Sequence, residues 1–217
     1  MITNFNIRLR EDEELRSIVS CGTVTVASID PGLLNFCIRI EKRYINNHGL
    51  RIDTVRMNVY NLVELYNNTY SARKNGKTML PIDIYTAASH VLSESITDRC
   101  DIILVEGQLI AKNHKMGRLC QHILTYCSCN YKSSLVYEVS PRLKTSILKK
   151  ALHSDIKNNK IWSVHVAKDL LSARNDQVGL SIITSGKKRD DMADVIVMIE
   201  AFFISKKVRS LITDMNY

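Results

Sequence analysis

Three observations predict a three-layer α/β domain built on a five-stranded mixed sheet flanked by helices. The runs Val24-Thr25-Val26-Ala27-Ser28-Ile29 and Ile102-Ile103-Leu104-Val105 are short and almost wholly apolar, as strands covered on both faces are. The first is followed, across short turns, by two further strand-like segments, which makes an antiparallel meander. Beyond residue 80, strand-like and helix-like segments alternate, which implies parallel neighbours in the sheet.

Residues 1–20 read as an N-terminal extension, with a short charged helix around 11–19, ahead of a domain spanning 21–217. A strand over 23–29 ends at Asp30, Pro31-Gly32 turns the chain, and 35–41 continues as a second strand. The third is 52–60, where Val55, Met57 and Val59 alternate with polar neighbours. Residues 67–79 are polar and basic, with Arg73, Lys74 and Lys77, and read as a loop. Pro81 suits the first turn of a helix reaching 96, whose Ile84, Ala87, Ala88, Val91, Leu92 and Ile96 form one apolar face. A strand at 102–105, a helix over 117–129 and a strand over 134–139 follow. Pro141 opens a basic segment carrying Arg142, Lys144, Lys149 and Lys150. Helices are expected over 162–173 and from about 190 to 206.

The 217 residues suffice for one sizeable core, and 45% hydrophobic with 24% charged residues is the balance of a soluble globular protein. Only 8 Gly and 3 Pro leave no room for a long flexible linker. No run of about 18 apolar residues suggests a membrane span, and the first 20 residues lack an apolar signal core. Six scattered cysteines fit a reducing, intracellular compartment better than a disulfide framework. The net charge of +8 favours a polyanionic partner.

Chemistry concentrates in four acids. Asp30 and Glu106 each close an apolar strand, where a carboxylate is costly unless its charge is compensated. Asp191 and Asp194 are three positions apart and so share a face of the last helix. If the strands ending at Asp30 and Glu106 lie side by side, all four carboxylates meet at one sheet edge. Oxygen-only ligands select Mg²⁺ or Mn²⁺. Taken singly, Asp30 before Pro-Gly also reads as a turn residue, Glu106 as a solvated strand end, and Asp190 or Asp191 as helix caps. Asp194 has no such ordinary explanation, because Val195-Ile196-Val197-Met198-Ile199 follow it directly.

Ser28-Ile29-Asp30-Pro31-Gly32, Val105-Glu106-Gly107-Gln108, Val139-Ser140-Pro141-Arg142 with Lys144, and Asp191-Met192-Ala193-Asp194 occur in the order seen in RuvC-like Holliday junction resolvases. Leu34-Asn35-Phe36 and the Lys-rich lead into Asp190-Asp191 most resemble the branch found in poxviruses and other large DNA viruses. The resemblance implies an RNase H-like fold and a homodimer that nicks four-way DNA junctions in pairs. It further implies two Mg²⁺ ions per active site, with Mn²⁺ able to substitute. Carried over, Asp30, Glu106, Asp191 and Asp194 become metal ligands and Lys144 the catalytic lysine, with Lys149 and Lys150 as other lysines within reach. A poxvirus-like source would place the protein in host cytoplasm. Gly107 stands where many viral and fungal members carry a basic residue.

Lys112, Lys115 and Arg118 open the helix after Glu106, and Lys187, Lys188 and Arg189 precede the acidic pair; both groups are expected to hold DNA phosphates. Each also reads as a solvated charged segment. Two other readings stay open: an RNase H-like nuclease acting on RNA or transposon ends, and an actin-like ATPase. The second would need a further phosphate loop that 8 glycines supply poorly. Cys127-Ser128-Cys129 with Cys120 and His122 lacks zinc-ligand spacing, so buried thiols are expected there.

Overall fold

The structure, a computed structural model, describes residues 9–46, 49–96, 100–109, 113–186 and 188–205. Five strands, β1 (Thr23–Asp30), β2 (Phe36–Asn46), β3 (Gly49–Tyr60), β4 (Ile102–Glu106) and β5 (Leu135–Val139), form one sheet in the order β3-β2-β1-β4-β5. The meander β1–β2–β3 is antiparallel, and β4 and β5 join it as parallel neighbours. Among the described residues the helices are α1 (Leu9–Ser20), α2 (Leu62–Tyr70), α3 (Pro81–Ser95), α4 (His114–Asn130), α5 (Arg142–Leu148), α6 (Asn159–Ala173), α7 (Gln177–Ser185) and α8 (Arg189–Ile204). None of them is long and apolar enough to cross a membrane.

The pleat of β1 sorts the layers. Ala27 and Ile29 pack with Ile103 and Val105 of β4 against α2, α3 and α4. Val24 and Val26 pack with Ile102 and Leu104 against α1 and α8, where Leu15 is fully buried. Because side chains alternate along a strand, Asp30 and Glu106 belong to the α8 face. A further cluster joins α5, α6, α7 and α8 through Leu148, Trp162, Val166, Ala167, Ile183, Ala193, Ile196 and Val197.

Three helices, α2, α5 and α7, lie where no helix is expected; α5 occupies the basic segment that Pro141 opens. Residues 67–70 belong to α2 and not to the basic loop, which begins at Ser71. The signal was present: the Asn61 carboxamide accepts from the Val63 and Glu64 amides, and Asn-x-x-Glu is a helix-start pattern. Asp176 starts α7 by accepting from the Gly179 amide at 2.8 Å. The pairing of β2 with β3 also skips Val55, a bulge that reverses the face of β3 partway along. Val55 is therefore exposed whereas Met57 is buried, so the two do not share a face as simple alternation expects.

The bulge lets Thr54 and Met57 both face α7, within a buried ionic network. Arg39 Nε donates to Glu41 at 2.7 Å, and Arg43 Nε does so to its other oxygen at 2.7 Å. Arg39 reaches Asp176 at 3.1 Å and Met57 Sδ at 3.4 Å; Thr54 also donates to Asp176. Arg43 reaches Glu200 of α8 at 2.9 Å, and Arg174 closes the set on Glu200. Three cations thus balance three carboxylates and tie β2 to α7 and α8.

Burial would raise the Glu41 carboxyl, but Arg43, Arg39 and Arg174 hold it down at about 2. An unfolded glutamate titrates near ~4.3, so the stabilisation is complete above about pH 5 and is lost as pH falls toward the folded value. Glu41→Gln should cost about 3 kcal/mol in urea unfolding at neutral pH, the scale of breaking a buried pair. The gap to wild type should close as the buffer is brought below about pH 3. A gap that stays constant across that range would show that the ionisation of Glu41 is not what stabilises the fold.

Candidate metal centre

Parallel pairing of β1 with β4 aligns Ile29 with Val105, so the next residues, Asp30 and Glu106, emerge side by side. Pro31-Gly32 turns the chain directly behind Asp30. Gly32 is required there, because a Cβ would stand 2.5 Å from the backbone oxygen of Asn35. α8 crosses above these strand ends and brings Asp194 down to them. Carboxylate oxygens of Asp30, Glu106 and Asp194 all lie within 4.8 Å of one another.

Lys144 enters from α5. The Ser140-Pro141 turn starts that helix, with Ser140 accepting from the Leu143 amide at 2.9 Å and its hydroxyl from the Arg142 amide at 3.3 Å. The Lys144 ammonium, 6% exposed, lies 3.3 Å from Glu106 Oε1 and 3.1 Å from Asp194 Oδ2. Burial would lower its pKa, yet Glu106, Asp194 and Asp30 together hold it above the usual lysine range. One ammonium does not neutralise the cluster. Burial, and next the Glu106 charge, push the Asp30 carboxyl well above its ordinary value, with Asp194 and Asp191 adding and Lys144 opposing. An all-carboxylate donor set with excess negative charge fits a hard divalent cation.

The remaining sequence-derived residues are placed as follows. Asp191 sits half-buried in the first turn of α8 and outside the three-carboxylate group. Burial and the neighbouring Asp190 raise its carboxyl. Lys149 is turned away, donating to Asn159 at 2.7 Å and to the Lys157 carbonyl at 3.3 Å, and Lys150 is exposed. Lys115 donates to the Gly76 carbonyl at 2.8 Å, which pins the basic loop to α4. Arg118 is exposed beside it, lining with Tyr85 and His114 a cleft of about 220 Å³. Lys188 and Arg189 are exposed at the start of α8, whereas Lys112 and Lys187 lie outside the described residues. None of the six cysteines forms a disulfide, and with Cys127 buried and Cys129 exposed that pair does not share a face.

Two contacts escape sequence reasoning. Ser163 of α6 donates to Asp194 Oδ1 at 2.6 Å, and Lys160 pairs with Asp190 at 2.6 Å. Neither residue has a distinguishing neighbour in the chain; only the packing of α6 on α8 reveals them.

No family model matches the chain. The uncharacterized protein 97L of invertebrate iridescent virus 3 is 27% identical over 206 residues, covering 82% of this chain and 98% of that protein. Among solved structures, the yeast mitochondrial Holliday junction resolvase superposes with a TM-score of 0.64 at 18% identity, covering 92% of this chain and 88% of that one. Thermus thermophilus RuvC in complex with its Holliday junction substrate superposes with a TM-score of 0.52 at 13% identity, covering 88% and 96%.

The turn behind Asp30 makes a direct test of this construction. Gly32→Ala forces backbone against backbone and should cost about 1–3 kcal/mol in thermal or urea unfolding. At Gly107 a Cβ would meet only the exposed Glu138 side chain, its Oε1 at 2.8 Å and its Cγ at 3.2 Å, and that side chain can swing aside. Gly107→Ala should therefore stay within about 0.5 kcal/mol of wild type. Equal costs at the two positions would contradict the geometry. With a five-stranded mixed sheet in this order and acids at the paired ends of β1 and β4, the chain has the RNase H-like fold of the RuvC-type resolvases.

Proposed function

We propose that the chain is a metal-dependent endonuclease that resolves four-way DNA junctions by paired nicking. The observation that carries this reading is the convergence of Asp30, Glu106 and Asp194 within 4.8 Å, on a fold shared with Holliday junction resolvases. Asp30, Glu106 and Asp194, with Asp191 at the rim, would hold Mg²⁺, two ions per site, with Mn²⁺ as a substitute. When bound, such ions supply Lewis-acid activation of water and neutralise charge at the scissile phosphate.

The protein's own groups do the rest. Lys144 is a buried cation already at the carboxylates, placed to stabilise negative charge developing on the phosphate or to deliver a proton to the leaving 3′ oxygen. Lys188 and Arg189, at the start of the helix that carries Asp194, would hold the backbone being cut. Arg118 and Lys115, with Arg73 and Lys77 on the adjoining loop, would carry a neighbouring arm. Phosphate contacts of this kind position a duplex without reading bases, which suits recognition of a branch by shape. Cutting two strands symmetrically requires two sites, so a two-fold dimer is the working form. The viral relative and six cysteines outside any disulfide support action in the reducing interior of an infected cell.

The test is a synthetic four-way junction incubated with and without Mg²⁺. Wild type should give symmetric nicks bearing 5′ phosphates. Asp194→Asn should lose at least about 10³-fold in rate, the scale of removing essential electrostatic stabilisation, while still binding the junction. Nicking that persists in chelator, or in Asp194→Asn, would refute this active site. Preferential cleavage of an RNA–DNA hybrid would transfer the site to another nucleic acid.

A further inference from the structure

The α6–α8 interface has one polar residue where packing calls for an apolar one. Positions 163, 166, 167 and 171 of α6 form the stripe that meets α8, and Val166, Ala167 and Leu171 are fully buried. Ser163, 1% exposed, occupies the same stripe. A buried hydroxyl is costly unless bonded, and in a helix it commonly turns back to a carbonyl of its own preceding turn. This one reaches across to Asp194 Oδ1 at 2.6 Å. The other oxygen of Asp194 faces Lys144 at 3.1 Å. The carboxylate is thus held from both sides, by a neutral donor on one helix and a cation on another.

A second bond fixes the same two helices one turn earlier, between Lys160 and Asp190 at 2.6 Å. Lys160 and Ser163 are three apart on α6, and Asp190 and Asp194 four apart on α8, so both bonds lie along one line of contact. Both bonds go with the rotation of α8 about its axis, which the burial of Ala193, Val195, Ile196, Val197 and Ile199 holds. That rotation decides whether Asp194 or Asp191, about 60° away around the helix, meets Glu106.

We infer that Ser163 is a positioning residue of the metal centre: its hydroxyl orients the Asp194 carboxylate so that it joins Asp30 and Glu106 in one cation site. This inference rests on the reading of those acids as metal ligands. Without the hydroxyl, Asp194 is free to turn both oxygens onto Lys144, which withdraws a donor from the site. Hydrogen bonds of this supporting kind typically govern metal affinity by about 10–100-fold.

The experiment titrates Mn²⁺ into the full-length chain by calorimetry, without DNA, for wild type, Ser163→Ala, Ser163→Cys and Asp194→Asn. Thermal unfolding of each metal-free protein is measured alongside. Ser163→Ala should bind Mn²⁺ about 10-fold or more weakly, with its metal-free unfolding midpoint close to wild type. Ser163→Cys keeps the volume but offers only a weak donor, and should behave like the alanine variant. In junction nicking, both should need correspondingly more Mg²⁺ to reach half-maximal rate. Wild-type Mn²⁺ affinity in Ser163→Ala, with binding lost in Asp194→Asn, would overturn the role of Ser163 and leave the metal site standing. Wild-type affinity in Ser163→Cys beside weak binding in Ser163→Ala would mean that volume and not the hydroxyl matters, and would also overturn it. Unaltered binding in Asp194→Asn would overturn the metal site and this inference with it.

Discussion

Three carboxylates brought within 4.8 Å of one another, beside a single buried lysine, set the terms for everything around them. Like charges at that spacing in a partly buried setting repel strongly, so the folded chain must hold them together by force of packing elsewhere. The surroundings answer that demand. Asp30 and Glu106 are held by a parallel strand pair whose residues are fully buried on both faces. Asp194 is carried by a helix packed over its length against β1, α5 and α6. Lys144 supplies one positive charge, and the Asp30 carboxyl remains well above its ordinary value despite it. The deficit is what a divalent cation would remove.

The second electrostatic structure on the same sheet face is balanced where the first is not. Arg39, Glu41 and Arg43 project from β2 toward α7 and α8 and find matching partners in Asp176, Glu200 and Arg174. Burying six charged groups gains little net stability over an apolar core, since desolvation offsets the attraction. Its value lies in direction: ion pairs have a required geometry, and Glu200 sits on the helix that carries Asp194. One face of the sheet therefore has an anchored end on β2 and β3 and a charge-deficient end at β1 and β4.

Much of this was legible in the chain, for identifiable reasons. Apolar strands ending in acids, with short turns between the first three, were enough to foresee the mixed sheet and the meeting of Asp30 with Glu106. Asp194 stood out because the apolar run after it offered no ordinary role for a charge. Asp191 was grouped with Asp194 by helical spacing alone, and spacing does not distinguish which of two carboxylates on one face reaches the strands. That depends on the rotation of α8, which is decided by its packing against the sheet and α6, where Ser163 meets Asp194. The bulge at Val55 was hidden for a similar reason: β-bulges are decided by pairing with a partner strand, and Val55, Met57 and Val59 read as plain alternation without it. The buried arginines were equally silent, because Arg39 and Arg43 beside Glu41 look like an exposed charged strand until their partners more than a hundred residues later are in place.

The late position of α8 has a consequence for how such a chain is made. The acids at the ends of β1 and β4 exist early in synthesis, as do the basic loop and the start of α4, but the cluster is incomplete until α8 has docked. A partly synthesised chain therefore carries the basic loop and the strand-end acids but lacks one of the three clustered carboxylates. Contacts between residues so far apart in sequence also form slowly, since loop closure precedes any gain from them. Completion of the acidic centre is thereby tied to completion of the fold.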